Sequence, residues 1–338
     1  MNTGHKQLKF SVRLNNDLPV ADYVQMAQVA EAGQFDQFWV SNDLFLRSAP
    51  IILSAVAAAT QRIEIGTCIV NPYTINPVEL AMMAATLDEF SHGRFNLGLG
   101  AGAGQFLKWI GLEQSHPLAA VEQSTAAIRK LLRNERASVD STFLHWTEEA
   151  YLRFTANRRI PIYLGAMSPR MLGAIGQWAD GGLPLLFPPE HFANVLPYIE
   201  AGARRAGRSL DDIDVAACIW CSIASDRAAA VDALKEKIAY YGHALSPLIW
   251  QQLGLSGADF TAIEQAIMAE NDLDKAKSLV TEPMLRIGIV GTPDDLIQRL
   301  EKLVAMGARH LSFGPPLGPD PLKALQLICD NVLPHFRR

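Results

Sequence analysis

The side chains best suited to chemistry in this sequence gather at the ends of β-like runs. Asn42 and Asp43 follow the run DQFWVS. A carboxyl just past a strand and before the apolar Leu44 is a candidate acid or base, because partial desolvation disfavours its charged form and moves its pKa toward working pH. The same pair would also serve as a simple cap on the following loop. The run IEIGTCIV ends in NPYTINP, with Asn71 at its edge. Gly165-Ala166-Met167-Ser168 leads into a helix through Pro169. Unpaired N–H groups there, the Ser168 hydroxyl and the positive helix end suit a phosphate, with Arg170 to neutralise it. The alternative is an ordinary Ser-Pro cap with a solvated Arg. The glycines of Gly98-Leu-Gly100-Ala-Gly102-Ala-Gly104 only superficially resemble a dinucleotide fingerprint, because spacing and a following acid are missing. Bare glycine backbone at Gly100 and Gly102 lets a flat ring lie close, or simply makes turns.

Other chemistries are excluded by what the motifs lack. The eight histidines are dispersed, none at metal-ligand spacing, and no HExxH, GxSxG or Walker loop is present. A metal or serine hydrolase is therefore not expected, and no metal site is assigned. Cys218 and Cys221 form a CxxC inside the apolar run DVAACIWCSIA, with no second pair to complete a zinc site. They read as buried reduced thiols in a strand.

The elements that must position these groups alternate. Strand-like runs cover 8–14, 36–41, 63–70, 94–99, 160–165, 182–187, 213–223 and 308–313. Helical patterns cover 19–33, 48–60, 76–90, 117–133, 169–179, 189–206, 226–240 and 293–306, with 319–333 after the last strand. Eight such units predict an α/β fold of the (β/α)8 TIM-barrel type across residues 1–338, a doubly wound sheet being the alternative. Residues 134–158 read as a hairpin insertion after the fourth helix. Residues 241–290 read as a mostly helical insertion between strands seven and eight, suited to a lid or to flank packing. Helices 48–60 and 76–90 are apolar around more of their circumference than one barrel-facing stripe needs. That predicts an isologous homodimer, unless the hairpin covers them.

Composition agrees with a compact enzyme: 338 residues, 49% hydrophobic and 19% charged. Thirty basic residues against 35 acidic ones give a net charge of −5, with no footprint for nucleic acid or an anionic membrane. The first sixteen residues lack a signal-peptide pattern and no run is long enough to span a bilayer, so a cytoplasmic location is expected.

The strand-end segments FWVSND (38–43), IEIGTCIVNPYTINP (63–77), GRFNLGLGAG (93–102), PIYLGAMSPRML (161–172) and HLSFGPPLGPDP (310–321) together resemble the bacterial luciferase-like superfamily. The likeness is greatest to the coenzyme F420-dependent methylenetetrahydromethanopterin reductases and related alcohol dehydrogenases, and it covers nearly the whole chain. The resemblance implies a barrel binding F420 or FMN at its C-terminal mouth. It also implies a non-prolyl cis peptide behind the ring, matching Cys68–Ile69, a cofactor phosphate at Gly165 to Ser168, and dimerisation through the second and third helices.

Two positions depart from that group. Its usual Asp-His after strand two is Asn42-Asp43 here, and its usual acid after strand four falls on Ala103, with Gln105 the nearest polar residue. The methylenetetrahydromethanopterin reaction therefore does not follow from the likeness. The expected function is hydride transfer between F420 or FMN and a small organic substrate, with Asp43 as acid or base. The alternatives are an FMN-dependent monooxygenase fed by a flavin reductase, and a flavin-binding protein that has lost catalysis.

Overall fold

A computed structural model describes residues 8–337. The first seven residues, on which part of the leaderless reading rests, lie outside the described residues. Eight parallel strands form the frame: β1 Lys9–Leu14, β2 Gln37–Val40, β3 Glu64–Thr67, β4 Phe95–Leu99, β5 Ile162–Ala166, β6 Gly181–Pro184, β7 Asp214–Ile223 and β8 His310–Leu317. They run in the order β7-β8-β1-β2-β3-β4-β5-β6, and a β6–β7 pairing closes the ring. Closure replaces the doubly wound alternative with a TIM barrel.

The strand period of two separates the layers. On β1, Phe10, Val12 and Leu14 join the core beneath the helices. Ser11 and Arg13 turn into the lumen, where Ser11 Oγ lies 2.8 Å from Ser312 Oγ and His310 Nε2 lies 2.8 Å from Ser11 Oγ. Trp39 fills the lumen beside Tyr163, with ring centroids 5.0 Å apart. Gly66 makes room for it, since a Cβ there would stand 2.3 Å from the indole.

Outside lie α1 Val20–Ala32, α2 Ala49–Ala59, α3 Pro77–Phe90, α4 Pro117–Leu132, α5 Pro169–Trp178, α6 Phe192–Arg205, α7 Arg227–Tyr241 and α8 Pro293–Ala305. Four of them, α3, α5, α7 and α8, start at side-chain caps. Asn76 Oδ1 accepts from Val78 N at 3.0 Å at the start of α3, and Asp226 Oδ1 accepts from Ala228 N at 3.0 Å at the start of α7. Arg94 closes the end of α2, donating to Ala57 O and Thr60 O at 2.9 and 3.0 Å, and to Ile63 O at 2.9 Å. These bonds occupy carbonyls that a helix end leaves orphaned.

Residues 134–158 contain an antiparallel pair, Val139–Asp140 with His145–Trp146. Its turn packs on the loop after β3, with the Tyr73 and Phe143 rings 5.3 Å apart, and Arg158 at the end of the segment pairs with Asp88 of α3 at 2.7 Å. Residues 241–290 fold into short helices around their own core of Ile249, Leu253, Phe260, Ile263 and Met284, joined to Phe187 and Trp220 at the ends of β6 and β7. A short strand, Ile289–Gly291, pairs parallel with β7 at the end of the segment read from the sequence as a mostly helical insertion. Cys218 and Cys221 are buried on β7 and unpaired.

Candidate active site at the barrel mouth

The mouth is built by the segments beyond the strands. After β3 the chain leaves regular pairing at the Cys68–Ile69 peptide, which is cis, and rejoins β4 through a Val70–Leu99 bridge. Ile69 reaches across to two glycines. A Cβ at Gly100 would stand 3.1 Å from Ile69 Cγ1, and one at Gly165 would stand 2.9 Å from Ile69 Cγ2. These glycines therefore admit the Ile69 side chain, and Ile69 in turn becomes part of the floor of the mouth. Gly102, at φ +75°, faces Asn71 in the same way, with Nδ2 3.1 Å from its Cβ direction. Asn71 Oδ1 accepts from Tyr73 N at 3.1 Å and Thr74 N at 3.0 Å, leaving Nδ2 as a donor without a partner among the described residues. Gln114 Nε2 steadies the glycine loop by donating to Ala101 O and Gly102 O at 2.8 and 2.9 Å.

Asn42 and Asp43, paired as candidates by sequence, have separate tasks. Asn42 Oδ1 accepts from Ala49 N at 3.1 Å and so fastens the start of α2. Asp43 is anchored through its backbone, whose N–H donates to Asn16 Oδ1 at 3.2 Å and whose carbonyl accepts from Asn16 Nδ2 at 3.0 Å. Its carboxyl makes no hydrogen bond or ion pair with another described residue and reaches solvent. Crowding by the mouth raises its pKa above the ordinary carboxylate value, while the Lys237 charge opposes that rise. Asn42, Asp43, Ile69, Asn71, Gly102 and Phe106 line one small cavity of about 20 Å³.

Ser168 caps α5, its Oγ accepting from Met171 N at 3.4 Å. Met167, Ser168 and Arg170 are exposed, and Ala166 is buried beneath them. Arg170 has no ion pair among the described residues. The turn thus offers a hydroxyl, first-turn N–H groups and an unspent guanidinium on one rim, a donor set that fits a phosphate. Ala103 precedes a short helix, Gly104–Trp109, and Gln105 is exposed on it, so this segment supplies no carboxyl. The sequence pattern shows no helix there because its glycines read as loop.

Three residues of the mouth escape sequence reasoning. Trp220, near the end of β7, packs edge-on against Phe187 at 4.8 Å. Lys237 of α7 places Nζ 3.8 Å from the Tyr241 ring centroid and 5.5 Å from that of Trp220. Burial lowers its pKa to about 8, against the opposing pull of Asp17 and Asp43. Arg13 lies in the lumen, donating through Nε to Ser312 Oγ at 3.1 Å and through Nη2 to Ile219 O at 3.0 Å. A charged residue at an inward position of a barrel strand was the one available signal for Arg13. Lys237 had none.

The 5,10-methylenetetrahydromethanopterin reductase of Methanopyrus kandleri is 30% identical over 347 residues, covering 98% of this chain and 99% of that protein. The enzyme of the same name from Methanolobus tindarius is 32% identical over 328 residues, covering 96% and 100%. The solved structure of the coenzyme F420-dependent tetrahydromethanopterin reductase from Methanopyrus kandleri superposes with a TM-score of 0.90 at 29% identity, covering 98% of this chain and 99% of that one. With a model of the luciferase-like monooxygenase family matching residues 6–310, the chain belongs to that family.

Proposed function

We propose that the protein is an F420-dependent oxidoreductase that moves a hydride to or from a small organic substrate at the barrel mouth. The end-to-end similarity to a coenzyme F420-dependent reductase carries this reading. The mouth supports it with a donor set for a phosphate at one rim and an apolar floor beside it. Gly165, Ala166, Met167, Ser168 and Arg170 would hold the cofactor phosphate, while Cys68, Ile69, Gly100 and Gly102 would seat the ring and Asn71 Nδ2 would donate to its edge. When bound, the cofactor supplies the two-electron hydride chemistry that no side chain here can perform. Asp43 provides the matching proton at the substrate heteroatom, and its raised pKa suits the task. Asn42 acts by holding the β2–α2 turn that carries Asp43.

Methylenetetrahydromethanopterin does not follow as the substrate, because the family's usual second proton carrier is Ala103 here and its usual histidine is Asp43. An FMN-dependent monooxygenase, supplied by a flavin reductase, is the second reading and follows from the family. Oxygen uptake with added reduced FMN separates the two. The uncommitted Asp43 carboxyl favours an active enzyme over a flavin-binding protein without catalysis. For the assembly, we propose a homodimer through α2 and α3, which leave Ile51 65% and Met82 47% exposed. No helix of the described residues is long and apolar enough to cross a membrane. We place the protein in the cytoplasm, in keeping with four unpaired thiols. The function is tested by following F420 absorbance in Asp43→Asn against wild type across candidate carbonyl and alcohol substrates; undiminished turnover removes Asp43 from the reaction.

A further inference from the structure

Arg13 is 7% exposed, yet no carboxylate pairs with it among the described residues. Charged side chains are rarely buried unless paired, so this guanidinium leaves a demand the protein does not meet. Nε and Nη2 are spent on Ser312 and Ile219, while Nη1 has no partner among the described residues and is not sealed from solvent. Lys237 is a second cation without an ion pair or hydrogen bond among the described residues, held against the Trp220 and Tyr241 rings. It forms one wall of a cavity of about 460 Å³, whose other walls include Leu14, Leu18, Tyr240, Pro315 and Pro316. That volume falls in the usual range for small-molecule clefts, about 300–1,000 Å³. Asp17 and Glu236 lie at its exposed rim.

The placement around the ring gives these cations their meaning. In the closed order, β7 is four strands from β3 in either direction and therefore faces it across the mouth. Arg13 reaches from β1 toward β8 and β7, and Lys237 follows β7. The floor at Ile69 and the turn at Ser168 belong to β3 and β5. The two unpaired cations thus occupy the side of the mouth left to the substrate.

We infer that Arg13 and Lys237 form an anion subsite and that the substrate is a small organic carboxylate. The inference rests on the hydride-transfer reading for its assignment to substrate rather than cofactor. Arg13 Nη1 donates to a carboxylate oxygen, and Lys237 closes over the anion from the cavity wall. The apolar and aromatic walls take the carbon chain.

The test is calorimetric titration of the F420-loaded protein with 2-oxobutanoate, succinate and benzoate, each beside its neutral amide. At least one carboxylate should bind, and its amide about tenfold more weakly or worse. Lys237→Gln and Arg13→Gln should each weaken that carboxylate by about tenfold or more, with F420 affinity unchanged. Arg13→Lys should recover part of the loss. Because Arg13 is buried, Arg13→Gln is first checked by circular dichroism; the half-buried Lys237 carries the test if that variant fails to fold. Failure of all three carboxylates to bind, equal binding of amides, or wild-type affinity in the variants overturns the subsite. Loss of F420 affinity in Arg13→Gln with carboxylate binding intact reassigns Arg13 to the cofactor and also overturns it. If F420 does not bind wild type, the cofactor reading fails separately, and titrating the unloaded protein still reads the subsite.

Discussion

Replacing Gly165 by alanine perturbs the floor of the mouth at one atom. The new Cβ would stand 2.9 Å from Ile69 Cγ2. Carbon atoms rest at about 3.5–4.0 Å, so Ile69 must retreat by about 0.6–1.1 Å. Overpacking of this kind costs about 1–3 kcal/mol. If Ile69 seats the cofactor ring, strain expressed there lowers F420 affinity by about 5- to 150-fold, at 1.4 kcal/mol per tenfold. Ile69→Ala alone removes the floor, while the double variant restores clearance for the new methyl group. The two substitutions should therefore couple, with an interaction of about 1 kcal/mol or more in the compensating sense. Fluorescence titration of F420 and urea unfolding of all four proteins complete the cycle. Gly165→Ala with wild-type F420 affinity, or strictly additive effects, would refute the role given to Ile69.

Asp43→Asn should lower turnover by about 100-fold or more without changing F420 affinity, as expected for loss of a general acid or base, and steady-state kinetics with separate cofactor titration checks both halves. Ser168→Ala combined with Arg170→Met should weaken F420 by about tenfold or more while the protein melts normally, since the lost contacts are charge-assisted and exposed. Arg94→Ala should cost about 3 kcal/mol or more in urea unfolding, because it leaves Ala57, Thr60 and Ile63 carbonyls unpaired at a buried helix end, each at about 1 kcal/mol or more. The pKa of Lys237 is lowered to about 8, so its charge is present below that pH and lost above it. Carboxylate binding should therefore weaken as pH rises through about 8, and Lys237→Gln should flatten that limb; Asp17, Asp43, Arg13 and Tyr241 are the other charged or titratable groups acting around this lysine.

The barrel was legible because eight apolar strand runs alternate with helical ones, the pattern of a parallel sheet covered on both faces repeated often enough to close. The Ser168 turn and Asp43 were legible because a strand end is where such a fold exposes chemistry. The purpose of Gly100 and Gly165 was not, since only the assembled barrel brings Ile69 against both. Asn42 and Asp43 are adjacent in sequence, yet just one of them has a free side chain, and that division depends on where α2 begins. Lys237 carries no sequence signal because its helix pattern looks the same whether it faces solvent or the mouth. Arg13 meets Ser312 only through strands 299 residues apart.

The most direct measurement is parallel titration of the purified protein with F420 and with FMN by fluorescence quenching. Saturable F420 binding is expected in the micromolar range, weakened in the Ser168 and Arg170 double variant. Binding of neither cofactor would contradict it, and tight FMN binding without F420 binding would transfer the mouth to the monooxygenase reading.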